Sequence, residues 1–285
     1  MAGARRAAYV PAMRSQTLPR LPSAQTASIG ERLRHWRQIR RLSQLDLACE
    51  AEISTRHLSF IETGRSAPSR EMVLRLAGSL DVPLRERNAL LLAAGYAPAF
   101  QARTLSDPHL RPIREAIDAL LVAHEPYPAL AVDRRWTLIA ANRAIGPLTA
   151  GAAPELLKPP VNVLRLSLHP RGVAPRIVNL AEWRDHLLFR LRRQQADSAD
   201  SDLSDLIEEL SAYPCGPSRP RSADALATAI AVPLRLRTEL GTLSFLSATM
   251  MFDAPLDATL SEIALETFLP ADAATAESLR LSRSP

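Results

Sequence analysis

Thr55, Arg56, Ser59, Phe60 and Thr63 are spaced so that a single helix presents them together. At 100° per residue, Leu58 and Ile61 define the inward face of that helix, leaving Arg56, Ser59, Phe60 and Thr63 roughly opposite and Thr55 at the flank. The chemistry open to such a face is hydrogen bonding to the edges of nucleic-acid bases. Arginine forks onto guanine O6 and N7, serine and threonine donate or accept, and an aromatic ring touches a thymine methyl. A solvated helix surface would carry the same residue types, so the surrounding elements decide between the two.

Those elements read as a helical bundle. Ser43 and Asp46 make a capping box, and Ser54, eleven residues on, stands where a second helix needs its N-cap. Two starts that close together imply a compact helix-turn-helix. Ser28 and Glu31 make another box, followed at helical spacing by Ile29, Leu33, Trp36 and Ile39. Ser69 precedes Met72, Val73, Leu76 and Leu80, and Pro83 opens a segment with Leu84, Leu90, Leu91 and Leu92 that stops near Gly95. The spacing therefore predicts five helices over 28–95, uninterrupted by strand-like alternation.

With these residues in place, the segment 28–96 resembles the DNA-binding domain of the xenobiotic-response-element (XRE) regulators, an all-α, lambda-repressor-like fold. The resemblance rests on Gln44 opening helix 2, Ala48 within it, the run from Ser54 to Arg65 and the run from Pro68 to Pro83. It implies that Gln44 holds a phosphate, that Thr55, Arg56, Ser59 and Phe60 read bases, and that Arg37 and Glu62 form an ion pair between helix 1 and the end of helix 3. With Thr63 and Arg65, these give an expected DNA-binding set of Gln44, Thr55, Arg56, Ser59, Phe60, Thr63 and Arg65. One departure matters: the turn after helix 2, where relatives often have glycine, carries Glu52.

Charge agrees with that assignment. Residues 1–96 hold 15 arginines against 8 acids, a balance of +7, so the rest of a chain of net charge +5 carries −2. Lys158 is the sole lysine, and guanidinium forks suit both phosphate and guanine. A hydrophobic content of 47% with no apolar run of membrane-spanning length points to a globular chain with no membrane partner. Cys49 and Cys215 stand far apart, suggesting neither a disulfide framework nor a metal site and fitting a cytoplasmic setting. Residues 1–27, with Pro11, Pro19 and Pro22, read as a disordered leader or an overlong start, with a basic arm that touches DNA, through Arg5 and Arg6, as the lesser alternative.

No catalytic or metal-binding residues and no cofactor are expected. Asp185 and His186 are helix neighbours pointing about 100° apart. The histidines lack HExxH spacing, and no nucleotide loop or nucleophile elbow occurs. The acidic run Asp197, Asp200, Asp202 and Asp205 lacks the glycine and terminal glutamate of a calcium loop and reads as a solvated linker.

Helical periodicity lapses over 97–107, an expected linker. Beyond it, residues 108–281 predict an α+β domain. A helix covers 110–124, and a hairpin joins 129–132 to 136–140, with Asn142 placed to cap the next helix. Helices follow at 162–168, 178–194 and 202–212, then a second hairpin turning at Glu239 to Gly241 and a last helix over 256–268. This half resembles the ligand-binding domain of XRE regulators of the methylenomycin-regulator (MmyB-like) type, with a PAS-like fold. The resemblance rests on the runs EPYPALAVDRRWTLIAAN, NVLRLSLHPRGVAPRIVNLAEWRDHLLFRLRR, VPLRLRTELGTLSF and LETFLPADAATAESLR. It implies a sensor for a small apolar effector, with fatty acids among the candidates.

Trp136, Leu138, Leu164, Leu168, Phe245, Met250 and Phe252 are expected to line the cavity, or else to fill the core. His169 and Arg171 are the polar groups set to meet a carboxylate head, or to make a turn. The expected protein is a homodimeric transcription regulator of double-stranded operator DNA under effector control. The alternative keeps DNA binding but has the second domain dock a protein partner.

Overall fold

The computed structural model describes residues 27–198, 200, 202–215, 231–252 and 256–281. The expected leader, Ala27 apart, lies outside the described residues. Five helices occupy the first domain: α1 (Ile29–Ile39), α2 (Gln44–Glu50), α3 (Thr55–Glu62), α4 (Arg70–Ser79) and α5 (Leu84–Ala93). Ser28, Ser43, Ser54 and Ser69 each accept a backbone N–H of the first turn, and Ser28 and Ser43 form full capping boxes with Glu31 and Asp46.

All five helices end on a residue of positive φ whose successor donates its N–H to a carbonyl five positions back, as Arg65 does to Phe60 at 2.8 Å after α3. Gly64 and Gly95 fill that left-handed position after α3 and α5. After α1, α2 and α4 it is held by Arg41, Glu52 and Asp81. Glu52, at φ 55°, thus adopts the conformation a glycine would favour, at a cost of about 1 kcal/mol. Leu33, Trp36, Leu47, Leu58, Ile61, Leu76 and Leu91 fill the core between the helices.

The second domain begins with α6 (Arg111–Ala123), then β1 (Ala129–Val132), β2 (Leu138–Ala141), α7 (Ile145–Thr149), α8 (Val163–Leu168), α9 (Leu180–Ser198) and α10 (Asp202–Ala212). It closes with β3 (Leu234–Thr238), β4 (Gly241–Met251), β5 (Ala264–Pro270) and α11 (Ala273–Leu281). The five strands form one antiparallel sheet in the order β2-β1-β5-β4-β3, making the domain α+β and PAS-like. The larger core joins one sheet face, through Leu234, Leu236, Leu243 and Phe245, to Leu164, Leu168, Trp183, Leu187 and Leu191 on the helices. On the other face Ile117 and Leu121 of α6 pack against Ala129, Ala131 and Leu265.

The helix expected over 256–268 is instead a turn with a single 3₁₀ segment (Leu260–Glu262), followed from Ala264 by the central strand. β5 pairs with β1 on one side and β4 on the other, so its backbone groups are consumed by two ladders. The alanine, leucine and glutamate that favour a helix there are overridden by that pairing. The last helix among the described residues is α11, begun where the Asp272 carboxylate accepts the Thr275 N–H at 2.8 Å.

Two local expectations are also corrected. Asn142 does not cap α7. Its buried side chain donates to the carbonyls of Leu121 and Tyr127 and accepts from Ala129 N, stapling α6 to β1. The acidic run is a solvated linker only in part: Asp197 lies exposed in the last turn of α9 and Asp205 exposed in α10, but the Asp200 carboxylate is shielded and lies 3.3 Å from the Arg134 guanidinium.

Candidate nucleic-acid interface

The face of α3 is open. Arg56, Thr63 and Arg65 are exposed and Thr55, Ser59 and Phe60 half-buried, while Leu58 and Ile61 are wholly inside. Two guanidinium groups lie over the Phe60 ring, that of Arg56 5.3 Å and that of Arg65 5.9 Å from its centre. Cation–π attraction at such distances draws both exposed arginines to the ring. Thr63 turns its hydroxyl hydrogen back to the Ser59 carbonyl at 2.7 Å, so the exposed side chain keeps its oxygen as an acceptor but has its donor engaged within the helix.

Glu62 fixes the rod. It is buried, and its carboxylate accepts Nε and Nη2 of Arg37 at 2.7 and 2.9 Å and Nε2 of Gln44 at 2.8 Å. The same Arg37 donates Nη1 to the Leu42 carbonyl, so one guanidinium ties α1, the α1–α2 turn and α3. The paired carboxylate raises the Arg37 pKa against the opposing effect of burial. Gln44 thus has its amide nitrogen engaged by Glu62 inside the domain, and only what remains of its side chain can turn to a phosphate. Gly30 lets α1 close onto this end of α3: a Cβ there would stand 2.5 Å from the Ile61 carbonyl oxygen and 2.6 Å from that of Glu62.

In the second domain Trp136, Leu164, Leu168 and Phe245 meet in one buried cluster, with Leu138 at its edge. Phe252 packs with the cluster on the opposite sheet face, and Met250 is 44% exposed, so neither joins the others. His169 and Arg171 shape a turn: the ring Nδ1 accepts the Arg171 N–H at 3.0 Å, and the Arg171 guanidinium pairs with Glu155. An open cleft of about 270 Å³ lies between the β1–β2 turn, α8 and α10, lined among others by Arg135, Thr137, Asn162, Arg165, Leu206 and Glu209. Arg165 and Glu209 form a bidentate pair across it, and burial with the Glu209 contact pushes the Tyr213 phenol up to about 12.

The sequence reading missed the charges that join the two domains. Arg85 of α5 donates Nε and Nη2 to the two carboxylate oxygens of Glu262, each at 2.8 Å, and Arg134 approaches the same carboxylate at 3.9 Å. No local pattern betrays a pair 177 residues apart. The segment 97–107 is not a free tether either. Asn88 of α5 accepts the N–H groups of Ala99 and Phe100, while Gln101 and Arg103 bond to Ala258 and Asp257 of the second domain.

Residues 113–281 match the family model of the MmyB-like transcription regulator ligand binding domain, and residues 28–90 match that of a helix-turn-helix domain. No curated protein sequence matches the chain. A solved structure of an RNA-binding light-oxygen-voltage receptor is similar at 16% identity and a TM-score of 0.22, covering 89% of this chain and 62% of that one. The chain thus spans less than two thirds of that receptor, and a likeness of this degree carries no argument.

Proposed function

Since the chain belongs to the MmyB-like transcription regulators, we propose that it reads operator DNA through α3 as a homodimer under the control of a small apolar or fatty-acid-like effector held by its second domain. The observation that carries this reading is the outward face of α3, with exposed Arg56 and Arg65 over a half-buried Phe60 while Glu62 locks the opposite side into the bundle. A helix so held enters the major groove with its geometry set beforehand, and a two-fold dimer spaces two of them about 34 Å apart on pseudo-palindromic half-sites. Affinity comes chiefly from arginine–phosphate contacts and falls steeply with salt.

The domains are those of a transcription regulator, and among the described residues no helix is long and apolar enough to cross a membrane. A cytoplasmic setting, where the DNA is, belongs to the proposal. Selection from a random duplex library tests it: enrichment of a pseudo-palindrome supports the reading, and recovery of unrelated sequences at equal affinity defeats it.

A second reading, in which the C-terminal domain docks a protein, is favoured by one feature. Leu246, Met250 and Leu269 lie exposed on one face of β4 and β5. Native mass spectrometry separates the two, since a co-purified lipid supports the effector and an empty domain the docking surface.

A further inference from the structure

The contact between the domains is built from charge. Arg85 and Glu262 make the bidentate pair at its centre, with the Glu262 side chain 16% exposed. Arg134 stands behind it, 3.3 Å from Asp200 and 3.9 Å from Glu262. At its flank Arg40, just past the end of α1, donates to the Asp197 carbonyl in the last turn of α9 while also holding the Leu80 and Asp81 carbonyls of its own domain. Alternating signs of this kind fix one register between two surfaces more than they add affinity.

From Arg134 a line of hydrogen bonds runs into the second domain. Gln194 of α9 donates to the Arg134 carbonyl at 2.7 Å and accepts the Trp136 indole N–H at 2.8 Å. The Trp136 ring lies in the large apolar core, 4.9 Å from the Arg190 guanidinium, which is itself paired with the buried Glu266. Trp136 is held at φ 64°, a conformation that a bulky aromatic residue rarely adopts and that persists only where neighbours enforce it. Around it Asp133 accepts the N–H groups of Arg135 and Thr137 and so fixes the tight turn.

We propose that the Arg85–Glu262 pair is a latch that sets the orientation of the reading domain on the sensor, and that Trp136, acting through Gln194 and Arg134, is the group that holds it shut. The purpose assigned to the latch rests on the regulator reading above, whereas its geometry does not. Arg56, Thr63 and Arg65 stay exposed with the latch closed, so it does not mask the reading face. It governs the direction in which that face points, and hence whether two protomers meet two half-sites together. Displacement of the indole by a guest entering the core releases Gln194 from the Arg134 backbone carbonyl and shifts the β1–β2 turn, which takes away the Arg134 guanidinium that helps to position the Glu262 carboxylate for Arg85. Trp136 is a positioning residue here and touches no DNA.

The test uses the full chain with Cys49→Ser and Cys215→Ser and spin labels on cysteines replacing exposed Gln38 of α1 and Asp118 of α6. The unlatched variants are Glu262→Gln and Arg85→Gln, with Arg85→Lys retaining charge but not the fork. Glu71→Gln, which removes an exposed pair within α4, is the control. The parent gives one narrow distance distribution, the two glutamine variants broaden it, Arg85→Lys broadens it less and the control leaves it unchanged. Trp136→Phe keeps an aromatic side chain, smaller than the indole, but deletes the N–H given to Gln194, and broadens the distribution as well. Narrow distributions in both glutamine variants overturn the latch, and a narrow one in Trp136→Phe overturns the relay. On the operator, Glu262→Gln changes affinity by about five-fold or more, and an unchanged affinity overturns control through the latch. If the parent itself shows no sequence preference, the regulator reading fails while the distances still decide the latch.

Discussion

The Arg37 guanidinium grips the Glu62 carboxylate through two hydrogen bonds, at 2.7 and 2.9 Å, across the seam where α1 meets the end of the reading helix. Only 12% of the arginine side chain and 2% of the glutamate side chain reach solvent. Removing one partner leaves the other charge with no counter-ion inside the domain, so Glu62→Ala destabilises the fold by about 3 kcal/mol. The double substitution Arg37→Met with Glu62→Met costs much less than the two singles together, because no charge is stranded. Denaturant unfolding of the four proteins checks this, and strict additivity of the singles would contradict it.

Glu52 takes a left-handed conformation at the end of α2 that glycine adopts without a Cβ penalty. Glu52→Gly relieves that strain of about 1 kcal/mol, the greater freedom of the unfolded chain offsets part of it, and the protein gains about 0.5 kcal/mol. Gly64→Ala, at φ 74°, moves stability the other way by a similar amount. Melting temperatures of the two variants decide the matter by their opposite signs.

At Gly30 the constraint is space. Its missing Cβ leaves the Ile61 and Glu62 carbonyls within 2.6 Å of where that atom would stand, and both are backbone that cannot swing aside. Gly30→Ala forces α1 and α3 apart and destabilises by about 1–3 kcal/mol. Gly78→Ala, with nothing within 4 Å of the new Cβ, serves as the comparison. Equal stability of the two variants would refute the close approach.

Burial raises the pKa of the Glu86 carboxyl at the domain contact, with Arg134 and Arg32 opposing the shift and Asp200 and Glu262 reinforcing it. The folded state thus binds this proton more tightly than the unfolded chain does. Across the window between the unfolded and folded values, the group's contribution to stability falls as pH rises and is restored as pH drops. Glu86→Gln accordingly raises the melting temperature at pH 7, and the gain shrinks as the pH is lowered toward the ordinary carboxylate value of about 4.3. A gain independent of pH would contradict the assignment.

Much of the first domain was legible because its signals are local. Ser28, Ser43, Ser54 and Ser69 announce helix starts by side chains that cap within three residues, and the inward turn of Leu58 and Ile61 follows from spacing alone. Strand β5 was not legible as a strand. Its alternation of Leu265, Thr267 and Leu269 with Ala264, Glu266 and Phe268 carries a glutamate on a core-facing position, which suits a solvated helix until Arg190, 76 residues upstream, is seen to neutralise it. Asn142 misled for a similar reason, since its carbonyl partners lie in α6 and in the loop before β1. Arg85 and Glu262 carried no signal at all, because only the docking of two domains brings them together.

The most direct test of the central claim, that the outward face of α3 reads bases, compares Arg56→Ala with the parent protein on the selected operator and on its full set of single-base variants. Arg56 is exposed and stacks on Phe60, so the substitution leaves the fold intact. The expected result is a loss of about 1–3 kcal/mol of binding free energy on the parent operator with relaxed discrimination at one base position, the others keeping their rank. An Arg56→Ala protein that discriminates at every position as the parent does would contradict the account.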